Sequence, residues 1–170
     1  MHFAALLTLS VASAVLATPS PRPRQAGRQI HPNGNTDLCL APVFDPATLN
    51  MPIVSVYNCA DRTGIEDWIF NEGDTKIQSA SSPDFCLENQ QVIFGHGSVS
   101  SNTNGAFLRI GVCGTDATTQ WHLENNKFSV PAQFNPNNQC LDFTNGELDP
   151  GRAIQTWECT DGNTNQIWTF

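Results

Sequence analysis

"QCLDFTNGELDPGRAIQTWECTDGNTNQIWTF", residues 139–170, carries a pattern that the chain uses three times. Cys140-Leu141 opens it, Cys159 follows, and Trp168 closes it nine residues after that cysteine. The same order stands twice upstream, as Cys39-Leu40, Cys59, Trp68 and as Cys86-Leu87, Cys113, Trp121. A basic residue close to an apolar one precedes each Cys-Leu by ten to thirteen residues, at Arg28–Ile30, Lys76-Ile77 and Lys127-Phe128. Four ordered landmarks recurring three times define units of about 28–75, 76–126 and 127–170.

Within these units the local signals are β. "FCLEN", "AFLRIGVC", "QCLDFT" and "AIQTWEC" are short runs rich in aromatic and β-branched residues, bounded by Gly, Asn, Pro and Asp. "WHLENNKFSV" reads as a hairpin turning at Asn125-Asn126. No amphipathic helix of useful length is present. Many short strands with regular turns predict an all-β sandwich, barrel or propeller, and three units are few for a propeller.

The six cysteines pair most simply within units, as Cys39–Cys59, Cys86–Cys113 and Cys140–Cys159. One pairing rule then serves all three copies, with a cross-unit pairing as the alternative. Each such bridge is worth roughly 3 kcal/mol on the loop-entropy account.

Ahead of the repeats, residues 1–17, "MHFAALLTLSVASAVLA", read as a secretory signal peptide ending in small residues at Val15 and Ala17. Residues 18–27 read as an extended linker or propeptide rich in Pro and Arg. Processing after Arg24 would leave roughly 145 residues, one ordinary domain. A secreted chain with an even set of cysteines belongs in an oxidising, extracellular setting.

The net charge is −8, from 16 acidic and 8 basic residues. No basic cluster lies in the repeats, which argues against a nucleic-acid partner, because such affinity rests on Lys and Arg meeting phosphates. It argues equally against an anionic membrane surface. The sequence holds no nucleophile elbow, no zinc-protease helix and no phosphate-binding loop. His31, His96 and His122 are scattered, with no second ligand at metal spacing. The expectation is a protein without metal, cofactor or catalytic site. The acidic pairs in "DRTGIEDW" and "ELD" read as solvated surface groups.

The triplicated Cys-Leu … Cys … Gln-x-Trp pattern resembles the ricin B-type lectins over residues 28–170. Gln166-Ile167-Trp168 is an intact Gln-x-Trp, while Glu66–Trp68 and Thr119–Trp121 are degenerate copies. The resemblance implies a β-trefoil with three pseudo-threefold repeats and the three tryptophans in a shared core. It implies that the Arg28–Ile30 segment pairs with the C-terminal strand to close the barrel. It also implies secretion and a lectin function toward galactose or N-acetylgalactosamine glycans.

In that family a sugar-binding repeat uses an Asp after Cys-Leu, a Gln, an aromatic two residues before the second Cys, and an Asn-Gln pair opening the last motif. The third repeat has all five, as Asp142, Gln155, Trp157, Asn165 and Gln166. The residue types suit the chemistry. An indole stacks on the C–H face of a sugar ring. A carboxylate accepts from hydroxyls through charge-assisted bonds, and amides both donate and accept.

The other repeats depart from this set. In the first, Tyr57 keeps the aromatic, but Ala41, Ile65 and Glu66 replace the Asp, Asn and Gln. In the second, Glu88 replaces the Asp, Gly111 removes the aromatic, and the loop between the cysteines is longer. Only the third is expected to bind. The rival functions are a glycosidase and a protein-binding or protease-inhibitor trefoil, for which loop 94–105 would be the contact surface.

Overall fold

The computed structural model describes residues 26–44, 52–61, 67–89, 104–115, 117–134 and 137–170. The signal-peptide and most of the linker assignments, Ile65, Glu66 and most of the long second-repeat loop lie outside these residues.

The described residues form an all-β structure in which helical turns are single 3₁₀ turns. The first repeat supplies β1 (His31–Pro32), β2 (Leu38–Phe44), β3 (Pro52–Asn58), β4 (Trp68–Ile69) and β5 (Gly73–Thr75). The second supplies β6 (Gln78–Ser79), β7 (Phe85–Glu88), β8 (Ala106–Phe107), β9 (Arg109–Val112) and β10 (Trp121–Glu124). The third supplies β11 (Lys127–Ser129), β12 (Gln139–Phe143), β13 (Ile154–Glu158) and β14 (Trp168–Thr169). The strands form two six-stranded sheets, ordered β5-β10-β11-β12-β13-β8 and β2-β3-β9-β7-β6-β4, and a two-stranded β1–β14 sheet.

The threefold relation in the sequence reappears atom by atom. Trp68 Nε1 donates to the Leu40 carbonyl at 2.8 Å. Trp121 does the same to Leu87 at 3.0 Å, and Trp168 to Leu141 at 3.0 Å. Each closing tryptophan therefore bonds the leucine of its own Cys-Leu. All six side chains are fully buried. An indole N–H needs a partner when buried, and the strand carbonyl supplies it without a polar side chain in the core. Ile30, Ile77 and Phe128, from the basic-apolar landmarks, fill the same core.

The inner strands close around the axis. Val54 N donates to Leu108 O at 3.0 Å and Leu108 N to Ile154 O at 3.1 Å. A bridge between Ser55 and Ala153 completes the ring. These bonds use strand-edge groups that would otherwise be exposed.

The disulfides are Cys39–Cys59, Cys86–Cys113 and Cys140–Cys159, each within one repeat. The Asn125-Asn126 turn is also as expected: φ is 51° and 61°, and Glu124 pairs with Lys127. Two consecutive positive φ values match the right-handed twist of the hairpin, and asparagine tolerates them.

One expectation is corrected. Arg28–Ile30 does not pair with the C-terminal strand. Arg28 exchanges two 2.8 Å backbone bonds with Trp68, and Ile30 O accepts from Leu40 N. The next residues, His31 and Pro32, make the pairing, with Thr169 and Trp168. The offset is in the backbone, because Arg28 is taken up by its bridge to Trp68. The Arg28 guanidinium donates to the Phe70 carbonyl and lies 4.2 Å and 5.1 Å from the Phe70 and Phe170 ring centres, so the side chain meets both the first repeat and the C-terminus.

Candidate functional site

β12 and β13 run antiparallel with Cys140 opposite Trp157, Leu141 opposite Thr156 and Asp142 opposite Gln155. Alternation then separates two sets of side chains. Leu141, Phe143 and Ile154 enter the core. Asp142, Gln155 and Trp157 share the outer face, with the Cys140–Cys159 bridge at one end of the pair.

Asp142 and Gln155 are only 3% and 6% exposed, so this is a recessed pair rather than a solvated one. Gln155 Nε2 donates to Asp142 Oδ1 at 2.9 Å. Asn163 Nδ2 donates to Oδ2 at 3.4 Å. Burial pushes the Asp142 carboxyl above its ordinary 3.8, and the amides of Gln155, Gln166 and Asn163 pull in the opposite direction. Desolvation wins, because neutral amides return only part of the hydration that a carboxylate loses.

Trp157 stands beside this pair and is 41% exposed. Gly105 lies beneath the join: a Cβ there would sit 4.0 Å from both Gln155 Oε1 and Trp157 Cζ3. The Gly105 turn is held by Asn104, whose Oδ1 accepts from Glu158 N at 2.7 Å and from Gln139 Nε2 at 3.0 Å.

Two 3₁₀ turns flank the pair, Thr144–Gly146 and Thr164–Gln166. Asn145 and Gly146 have positive φ, 60° and 71°. A Cβ on Gly146 would lie 2.9 Å from Asn165 Oδ1, so glycine lets the Asn165 side chain come up to the first turn. Asn163 caps the second turn, its Oδ1 accepting from Asn165 N at 3.0 Å.

Gln166 has a different character. It is fully buried, and both ends of its amide are used by the backbone. Thr160 N donates to its Oε1 at 3.0 Å, and its Nε2 donates to Glu158 O at 2.9 Å. These bonds tie the end of β13 to the turn carrying Asn165. Asp142, Gln155, Trp157 and Asn165 thus cluster on one surface, with Gln166 behind them.

Asn163 and Asn104 were absent from the expected set. Asn163 carries a readable signal, an Asx residue two before Asn165 in "GNTNQ". Asn104 carries none, since it comes from the preceding repeat.

The register of the other repeats shows what stands in place of the pair. Ala41 faces Ser55, and Glu88 faces Arg109, where the third repeat has Asp142 facing Gln155. Arg109 Nε forms an ion pair with Glu88 Oε2. The Glu88 carboxylate also occupies the space that a side chain on Gly111 would need. The second repeat therefore keeps a carboxylate but closes it on itself. In the first, Ser55 Oγ is buried with no hydrogen-bond partner among the described residues. Tyr57 there is half-buried, its Oη 3.4 Å from a Cβ placed on Gly151. His31 approaches the Cys39 and Cys59 sulfurs, but both are committed to the disulfide.

No protein-family model matches the chain, and no curated protein matches it. Solved structures do. The β-trefoil lectin of the Vibrio vulnificus hemolysin/cytolysin, with N-acetyl-D-lactosamine bound, superposes with a TM-score of 0.58 at 18% identity, over 85% of this chain and 92% of that one. The C-half of the earthworm R-type lectin in complex with GalNAc gives 0.55 at 14% identity, over 83% and 94%. ThreeFoil, a designed threefold-symmetric protein, gives 0.56 at 17% identity, over 82% and 94%. The chain has the β-trefoil fold that these structures share.

Proposed function

We propose that this chain is a secreted carbohydrate-binding protein that recognises galactose or N-acetylgalactosamine residues through its third repeat. The observation that carries the reading is the recessed Asp142 carboxylate, fixed by the Gln155 and Asn163 amides beside the half-exposed Trp157 ring. Similarity to lectin structures with N-acetyl-D-lactosamine and GalNAc bound supports it.

The roles follow from the chemistry. Trp157 stacks on the apolar face of the sugar. Asp142 accepts from two hydroxyls, and its fixed oxygens reward the epimer that presents donors to both. Gln155 and Asn165 complete the rim, and Gln166 positions Asn165. These roles are those of a binding site, and the reading is binding without hydrolysis. Residues 1–17 direct it out of the cell and residues 18–27 precede the lectin domain, consistent with three disulfides. A single polar site implies weak affinity for a monosaccharide, raised on dense glycan surfaces.

Titration calorimetry with galactose and N-acetylgalactosamine tests the reading. The wild-type chain binds one sugar per chain, and Asp142→Ala binds none. A wild type inert to both sugars, or an Asp142→Ala variant that binds as well as wild type, would refute it.

A further inference from the structure

β13 has a second neighbour. On the side away from β12 it pairs with β8, and Gln155 lies opposite Phe107. Directly opposed residues project from the same face, so Asp142, Gln155 and Phe107 form one row across three strands. Phe107 is a large apolar side chain left 49% exposed in that row.

Beside it lies a depression of about 440 Å³, lined by Phe107, Thr144, Asp149, Gly151 and Ala153 among others. Its size falls within the range of small-ligand sites. Its place follows from strand geometry. Ala153 is two residues before Gln155 and Trp157 two residues after it, about 13 Å apart along an extended strand. The recessed pair thus separates Trp157 from the depression. Thr144 Oγ1 donates to Ala153 O at 2.7 Å, which leaves its oxygen turned to act as an acceptor. Gly151, at φ 92°, keeps the turn of the rim low and open beside Tyr57.

We infer that this depression is a second sugar subsite, continuous with the first, that takes the next neutral pyranose of the glycan bound at Trp157. The inference rests on the reading under Proposed function. Phe107 supplies a ring for the apolar face of that second sugar. The Asp149 carboxylate and Thr144 hydroxyl meet its hydroxyls, and Ala153 and Gly151 leave the floor free of bulk. The ring is provided by the second repeat and the polar pair by the third, so the extended site exists only in the assembled trefoil. The true ligand is then at least a disaccharide.

Calorimetric titration of wild type, Phe107→Ala and Phe107→Tyr tests this, with galactose and with lactose, melibiose and Galβ1-3GalNAc as probes. The expected result is that at least one disaccharide binds wild type about five- to tenfold tighter than galactose. Phe107→Ala removes that gain while galactose affinity moves by less than about twofold, and Phe107→Tyr keeps the gain. If no disaccharide exceeds galactose, or if the gain survives Phe107→Ala, the second subsite is refuted and the first stands. If wild type binds none of the four sugars and no N-acetylgalactosamine, both are refuted.

Discussion

Gln155 Nε2 donates to Asp142 Oδ1 at 2.9 Å across the β12–β13 pair, on a face where both residues are almost fully buried. The same register position holds an ion pair, Glu88 with Arg109, in the second repeat and an Ala41–Ser55 pair in the first. One backbone frame thus carries three chemistries. Only the third has a carboxylate held by neutral amides and not by a cation.

Replacing Asp142 by Asn separates binding from folding. The amide oxygen still accepts from Gln155, but the charge-assisted bonds to ligand hydroxyls go, which weakens galactose binding about 10- to 100-fold. The folded state sheds a desolvated charge, so the melting temperature in Asp142→Asn stays level or rises. Titration calorimetry and thermal unfolding of the same samples check both halves.

The pH dependence follows from the raised Asp142 carboxyl. Binding needs the ionised form, so affinity holds at neutral pH and falls on acidification, with a midpoint above the ordinary 3.8. Stability moves the other way. A folded-state value above the unfolded one means that Asp142 adds stability fully below 3.8 and loses it as pH rises through the folded value. Galactose affinity measured from pH 7 downward, in wild type and in Asp142→Asn, reads this: the acid limb belongs to wild type alone.

The Glu88–Arg109 pair is structural in this account. Arg109→Ala leaves a mostly buried carboxylate without its cation and costs on the order of 1–3 kcal/mol in denaturant unfolding. Galactose affinity is unchanged, since neither Glu88 nor Arg109 belongs to the third-repeat set.

The disulfides divide in the same way. Removing Cys39–Cys59 with paired serines costs roughly 3 kcal/mol and leaves galactose affinity intact. Removing Cys140–Cys159 costs a similar amount and also weakens binding, because that bridge fixes the strand end beside Trp157. Unfolding and titration of the two double variants distinguish the cases.

The fold was legible because its determinants are local and repeated. Cys-Leu, the second cysteine and the closing tryptophan recur in order, and each tryptophan proves to bond its own repeat's leucine. The clustering of Asp142, Gln155, Trp157 and Asn165 was legible from one repeat. What escaped depends on contacts that the order of landmarks does not encode. The family pattern puts Arg28 on the C-terminal strand, yet its backbone bonds Trp68 while its guanidinium meets both Phe70 and Phe170. Arg109, Asn104 and Phe107 sit far along the chain from the groups they meet, and no spacing rule connects them. Gln166 could be named from its motif, but the direction of its amide, inward to Thr160 and Glu158, is a property of the folded loop.

The most direct test of the central claim is a glycan array probed with wild type and Trp157→Ala. Trp157 is exposed, so its truncation removes the proposed sugar platform without opening the core. The account predicts wild-type signal on glycans carrying galactose or N-acetylgalactosamine, and loss of that signal in Trp157→Ala. A wild type that lights no sugar, or a signal that Trp157→Ala leaves intact, would contradict it.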